Sequence, residues 1–244
     1  FFDIFLFVKL TQCQFICEEE NKMPKCSCEE TKKKREEIVD ACSKLYETMA
    51  YKDITIKEIG RFTSFTRTSI YNYFATKEEI FLELLMRDFK SWIDDLDSIP
   101  AKGELLTLDE AADGLAGSLA RRVRMLGLLS MSLADMQDNC RMDNLIEFKK
   151  VYNSTGQAIR RVLERVTPEI TEEDKQAFVC AFYPFIYGLY PYTAINKKQE
   201  EAELKTGVPC CCVCHKMYDA ARPCIKMLLE DVCCGCKGKY SKEK

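Results

Sequence analysis

The sequence predicts an all-α protein. Apolar residues recur at three- and four-residue steps through most of the 244 residues, which is the spacing of a helix face. No stretch alternates strictly between apolar and polar residues with hairpin turns, and no internal repeat is present. With 47% hydrophobic and 31% charged residues, 10 Gly and 7 Pro, the composition is that of a globular chain with a sizeable core. It excludes a disordered, collagen-like or low-complexity protein.

The elements follow in order. From Lys32, the positions Ile38, Ala41, Cys42, Leu45 and Met49 line one face of a first helix. Asp53-Ile54-Thr55 breaks that pattern, and Thr55 caps a short helix carrying Ile56, Ile59 and Gly60. After a turn at Thr63-Ser64-Phe65, Thr66 caps a second short helix expected over 67–74. Ala75-Thr76 interrupts again, and a long helix runs from Lys77 to about Leu96. Beyond Pro100, Thr107 with Glu110 makes a capping box for a helix to about Arg121. Two more helices are expected over 124–136 and 142–166, the second closed by Thr167-Pro168. Thr171 opens the next, where Glu172, Glu173 and Asp174 suit the positive end of the dipole. Phe178, Phe182, Phe185, Ile186 and Leu189 are its apolar residues, while Pro184 and Pro191 are expected to kink it and free carbonyls. A short polar helix over 196–204 ends at Gly207-Val208-Pro209, and a last helix over about 213–231 precedes a Gly/Lys tail.

Charge and cysteine usage narrow the function. The formal charge is −3, from 36 Lys+Arg against 39 Asp+Glu, so any nucleic-acid or membrane partner needs a local patch. The one histidine, His215, excludes a multi-histidine metal site and argues against a Ser-His-Asp triad. There is no Gly-rich phosphate loop, nucleophile elbow or metalloprotease motif, so no enzyme is expected. Neither the apolar start at Phe1-Phe2-Asp3-Ile4-Phe5-Leu6-Phe7-Val8 nor the tyrosine-studded stretch 177–194 reads as a membrane span, which needs about 20 apolar residues. The start also lacks a basic region and a cleavage site, so the protein is expected to be cytoplasmic, with its 15 cysteines reduced and no membrane partner. Residues 1–22 are expected to be an upstream extension or a mis-set start, with a native hydrophobic arm as the alternative. The helical pattern divides the chain into an extension over 1–30, expected to be disordered, and a first helical segment over 31–77. A longer helical segment over 78–232 and a flexible tail over 233–244 follow.

Residues 55–77 carry the most information. Two short helices joined by a tight turn and followed at once by a third make a helix-turn-helix, whose second helix can lie in the DNA major groove. Lys57, Arg61, Arg67 and Lys77 stand against Glu58 alone, a basic patch in an acidic chain. The run Thr55-Ile56-Lys57-Glu58-Ile59-Gly60, then Thr66-Arg67-Thr68-Ser69-Ile70-Tyr71-Asn72-Tyr73-Phe74-Ala75-Thr76-Lys77-Glu78-Glu79-Ile80, closely resembles the DNA-binding motif of TetR-family transcriptional regulators. The sequence departs from that pattern at Gly60, where alanine is usual, and at Ser64 and Thr68, where glycine is usual; Phe65 replaces a smaller aliphatic residue. Arg67 and Thr68 are the candidates for base edges, Arg having the shape for a bidentate guanine contact. Asn72 reads an adenine or only a phosphate. Thr66 caps the recognition helix and can also meet a phosphate, and Thr55 can anchor the backbone from the preceding helix. By the resemblance, Tyr71 and Lys77 are phosphate contacts. Ile59, Ile70 and Phe74 read as core. The run Lys32-Lys33-Lys34-Arg35 reads better as a solvated helix start than as a DNA arm.

The resemblance implies that 31–77 is a helix-turn-helix DNA-binding domain and 78–232 a helical ligand-binding and dimerisation domain. It implies a dimer on a near-palindromic double-stranded DNA operator, most often as a repressor, with a small molecule held among the later helices. Such a site needs apolar and aromatic walls with a few polar handles. Trp92, Met125, Met131, Phe148, Tyr152, Phe182, Tyr183, Tyr187 and Tyr190 are candidates, although plain core or interface packing explains each of them better than a ligand contact does. No cofactor is expected besides that unidentified effector. The dimer interface is expected on the helices over 171–192 and 213–231. Cys210, Cys212, Cys214 and His215 form a soft ligand set, the basis for an alternative thiol- or metal-responsive sensor. Their spacing matches no zinc module. The second cluster, Cys233, Cys234 and Cys236, stands a helix of about 27 Å away.

Overall fold

A computed structural model describes residues 25–99, 105–194, 197–207 and 216–233. The chain divides into two compact units, residues 1–36 and 37–244. In the first, the described part is the opening of α1 (Lys25–Tyr46), where Lys34 pairs with Glu30 one turn back at 3.0 Å. This helix starts at Lys25 rather than Lys32, so residues 25–30 of the expected disordered extension are helical. The stretch from Lys25 to Tyr46 holds neither Gly nor Pro, and nothing in it breaks the helix before the turn at Glu47.

The second unit contains the rest of α1 and nine further α-helices among the described residues, with no strand. After α1 the chain makes a single 3₁₀ turn, Tyr51–Asp53, that the periodicity did not signal. Then come α2 (Ile56–Gly60), α3 (Arg67–Ile70), α4 (Lys77–Ser98), α5 (Leu108–Ala120), α6 (Val123–Asp138) and α7 (Met142–Val166). They are followed by α8 (Glu172–Thr193), α9 (Lys197–Thr206) and α10 (Met217–Cys233). Threonine hydroxyls set where many of these begin. Thr55, Thr66, Thr76, Thr107 and Thr171 each accept the N–H three residues on, at the starts of α2, α3, α4, α5 and α8. Thr107 completes a capping box, its own N–H reaching Glu110 Oε2 at 2.8 Å. Such a cap contributes about 1 kcal/mol. At the other end of α9, Gly207 takes the left-handed conformation, φ +64°, that stops a helix without strain.

The core is organised on α4. Its Ile80, Phe81, Leu85, Phe89, Trp92 and Leu96 are fully buried, and the helix packs on α6 and α7. The Trp92 indole donates to Ser118 Oγ at 3.0 Å, and that hydroxyl donates to the Leu115 carbonyl at 2.7 Å, so the largest buried side chain leaves no polar atom stranded. On the far side, α10 packs against α5 and α8. Arg222 and Lys226 of α10 fasten it to Asp109 and Asp113 of α5, with Lys226 Nζ 2.9 Å from Asp109. Close approach of α6 to α8 needs Gly127, where a Cβ would stand 3.1 Å from the Tyr190 ring.

Prolines inside α8 have a visible compensation. Pro191 has no N–H for the carbonyl of Tyr187, four residues back. Ser130 of α6 supplies the missing donor, its hydroxyl 2.5 Å from that oxygen. α8 continues through Pro184 and Pro191 without a break.

Candidate functional site

In the helix-turn-helix, Ile54, Ile59, Ile70 and Phe74 are fully buried and Ile56 nearly so. They fix α2 and α3 against each other and against α1, as expected for Ile59, Ile70 and Phe74. The recognition helix is shorter than expected: α3 ends at Ile70, and residues 71–73 continue as tight turns, with Asn72 N–H to the Ser69 carbonyl at 3.2 Å and Tyr73 N–H to the Ile70 carbonyl at 2.9 Å. A β-branched, hydroxyl-rich stretch followed by aromatic residues has little intrinsic helix propensity to carry it further. The turn between the helices is held without glycine. Ser64 donates its N–H to Glu37 Oε1 of α1 at 2.6 Å, and the Phe65 ring leans on Tyr73 at 6.2 Å.

With the apolar side facing inward, Arg67, Thr68, Tyr71 and Asn72 share the outward face, one turn apart in pairs, and all are exposed. Thr55 and Thr66 are exposed at the two helix starts. Thr66 Oγ1 accepts the Ser69 N–H at 3.2 Å and lies 3.0 Å from Ser69 Oγ. Arg67 Nη2 donates to the Tyr71 hydroxyl at 3.2 Å, and the guanidinium stands 5.8 Å from the ring centroid. That hydroxyl raises the Arg67 pKa above its ordinary value, so the cation is secure. Lys77 differs from the others. It is half-buried, donates to the Tyr51 carbonyl at 3.2 Å and lies 4.5 Å from the centre of the Tyr51 ring.

Residues that the sequence did not flag tie this segment to the α6–α7 corner. Glu79, at the start of α4, is 1% exposed and receives Arg141 through Nε at 2.6 Å and Nη2 at 2.8 Å. Burial works against its charge. The Arg141 guanidinium and the N–H groups of Ala75 and Arg141 outweigh that and hold its pKa below the ordinary 4.5. The spacing Thr76-x-x-Glu79 is a capping pattern visible in sequence; a partner 62 residues away is not.

The ligand candidates separate into three groups. Trp92, Met125, Phe148 and Phe182 are at most 1% exposed and belong to the core. Met131 is 69% exposed, which corrects its expectation as a cavity residue: it falls outside the buried stripe of α6 formed by Met125, Leu128, Leu129, Ser132 and Met136. Tyr152 and Tyr183 do line a cleft, of about 290 Å³, between α7 and α8. Their rings are 4.7 Å apart; Tyr187, one turn further along α8, is half-buried and is not one of the cleft walls. The Tyr183 hydroxyl is paired with Thr155, and burial pushes its pKa up to about 12, so it stays protonated. The remaining walls are Asn153, Gly156, Gln157, Arg160, Gln176, Val179 and Cys180, which a search for aromatic residues passed over. Arg160 bonds Glu172 at 3.0 Å and also Gln176 Oε1, which leaves the Gln176 amide to donate to Cys180 Sγ at 3.1 Å.

Cys210, Cys212, Cys214 and His215 lie outside the described residues. Among those described, no group of three or more His, Cys, Asp or Glu could hold a metal ion. Nor is any single described helix long and apolar enough to cross a membrane.

Comparison with known proteins agrees with this architecture. Residues 38–84 match the family model for bacterial regulatory proteins of the tetR family, and residues 86–210 match the tetracyclin repressor-like C-terminal domain. No curated protein matches the sequence. Among solved structures, the fatty acid degradation regulator FadR from Bacillus halodurans is similar, with a TM-score of 0.51 at 15% identity over 86% of this chain and 97% of that one. RolR, solved in complex with the ligand resorcinol, has a TM-score of 0.50 at 16% identity over 84% of this chain and 96% of that one. Those two likenesses concern the fold. Together, the two family models cover both the helix-turn-helix and the helical domain behind it, and the chain belongs to the TetR family of transcriptional regulators.

Proposed function

We propose that this regulator is a cytoplasmic repressor that binds a near-palindromic operator as a dimer and releases it when a small molecule binds. The observation that carries the reading is the outward face of the Thr66-capped helix. Arg67, Thr68, Tyr71 and Asn72 are all exposed there, opposite a buried Ile70 and Phe74. Arg67 and Thr68 lie at the helix start, where side chains reach base edges; Tyr71, Asn72, Thr55 and Thr66 serve phosphates, with Asn72 also able to pair with adenine. Lys77 contributes its charge from a half-buried position.

The dimer surface in this reading is the exposed side of α8 and α10. Ala177, Ala181, Pro184 and Gly188 recur there at three- and four-residue steps, and Cys224 and Met227 are exposed on α10. Small side chains let helices approach closely, and Met227, 68% exposed, adds an apolar side chain from α10. The effector site is the α7–α8 cleft. Its two tyrosine rings offer flat apolar walls, and the amides of Asn153 and Gln157 offer polar handles.

Selection of random duplex DNA by the reduced protein tests the proposal. Enrichment of a near-palindrome with half-sites about one helical turn apart is expected. No enrichment at low salt, from a folded dimer, would overturn it.

A further inference from the structure

The corner between α6 and α7 grips the helix-turn-helix at three points. The Tyr51 hydroxyl, in the 3₁₀ turn, donates to Asp135 of α6 at 2.8 Å. Thr76 Oγ1 donates to the Asn139 carbonyl at 2.9 Å. Arg141, the residue preceding α7, forks onto Glu79 and extends Nη2 to the Tyr73 carbonyl at 3.4 Å.

Glu79 is the centre of this junction. A carboxylate has about four lone-pair sites, and here all are used. Oε1 accepts the Arg141 N–H at 3.0 Å and Nε at 2.6 Å, while Oε2 accepts the Ala75 N–H at 2.8 Å and Arg141 Nη2 at 2.8 Å. Tyr73 and Ala75 belong to the short stretch that leaves the recognition helix at Ile70. One ion pair therefore holds the backbone just behind that helix on one side and the end of α6 on the other. A buried carboxylate stripped of its guanidinium is strongly unfavourable, so the junction stays made and moves as a body rather than loosening by degrees.

The helix that ends at this junction, α6, also packs on α8, one wall of the cleft. Ser130 of α6 bonds the freed Tyr187 carbonyl of α8, and Tyr183, one turn before Tyr187, lines the α7–α8 cleft. α6 therefore joins α8, at Ser130, to the Asn139–Arg141 corner that holds Glu79.

We propose that Glu79 and Arg141 are positioning residues that set the recognition helix from the α6–α7 corner, and so fix the half-site spacing a dimer accepts. This rests on the DNA-binding dimer proposed above. The readout is selection from a duplex library in which the enriched half-site is held constant and the spacer varies by one base pair at a time. Wild-type protein should enrich one spacing. Arg141→Ala and Arg141→Lys should accept the neighbouring spacings, with the preference reduced about tenfold. Base preference within a half-site, helix content and dimer mass should stay as in wild type. Arg141→Lys keeps a charge for the buried carboxylate but cannot make the fork or reach Tyr73 at the same time, so it decides the matter if Arg141→Ala fails to fold. A folded Arg141→Lys dimer with wild-type spacing preference would overturn the positioning role alone. Wild-type protein that enriches no duplex would overturn the DNA-binding reading and this inference with it.

Discussion

Replacing Ser130 with alanine tests the packing of α6 on α8. The Tyr187 carbonyl has lost its helical donor to Pro191, and the Ser130 hydroxyl at 2.5 Å is the replacement. Removing it leaves the carbonyl without a protein partner. A fully buried orphan costs about 1–3 kcal/mol; both residues here are half-buried, which places the expected cost near the lower end, about 1–2 kcal/mol. For a chain of this size that lowers the melting temperature by about 2–8 °C. The specific check is a double-mutant cycle with Pro191→Ala. The alanine restores an N–H four residues after Tyr187, so the helix satisfies its own carbonyl and the hydroxyl becomes dispensable. Ser130→Ala should then cost only a few tenths of a kcal/mol, giving a coupling of about 1 kcal/mol between the two positions. Equilibrium denaturation followed by far-ultraviolet circular dichroism measures each corner of the cycle. Equal losses from Ser130→Ala in both backgrounds would refute the argument.

Three further outcomes are expected. Arg67→Ala should weaken operator binding about 10- to 100-fold in fluorescence anisotropy titrations, without changing helix content. Ala181→Glu places a charge in the middle of the α8 face and should convert the dimer to a folded monomer in sedimentation velocity; persistence of the dimer would mean that this face is not the interface. Acid titration should show the carboxylates whose pKa values are held down. Glu79, despite its burial, lies below its ordinary 4.5 because of Arg141 and two backbone N–H groups. A carboxylate depressed in the folded state stabilises the protein above its unfolded value and loses that contribution as the pH falls through the folded one. Stability from this group should therefore be complete at neutral pH and decline below about 4.5, as read by urea midpoints across the acid range.

Most of the helices were legible because their signals are local. Thr107 with Glu110, and Thr171 with three acidic residues behind it, announce α5 and α8 from a few adjacent positions. The outward face of this short helix was legible for the same reason: Ile70 and Phe74 mark the inward side, and Arg67, Thr68, Tyr71 and Asn72 are what remains. The end of α3 at Ile70 was not, since a four-residue helix is fixed by what it packs against rather than by its own propensity. Arg141 and Ser130 escaped notice because each acts on a residue far along the chain, Glu79 and Tyr187, through geometry that no local pattern encodes. The cleft was half found. Aromatic content pointed to Tyr152 and Tyr183, but also to Trp92 and Phe182, because the same residue types build cores and pockets.

The central claim is that two copies of this chain read one operator together. The most direct measurement is the mass of the complex formed on the selected duplex, by light scattering at chain concentrations well above the dissociation constant. The account predicts two chains per near-palindromic duplex, and loss of the complex when one half-site is scrambled. A single chain per duplex, or binding indifferent to the second half-site, would contradict it.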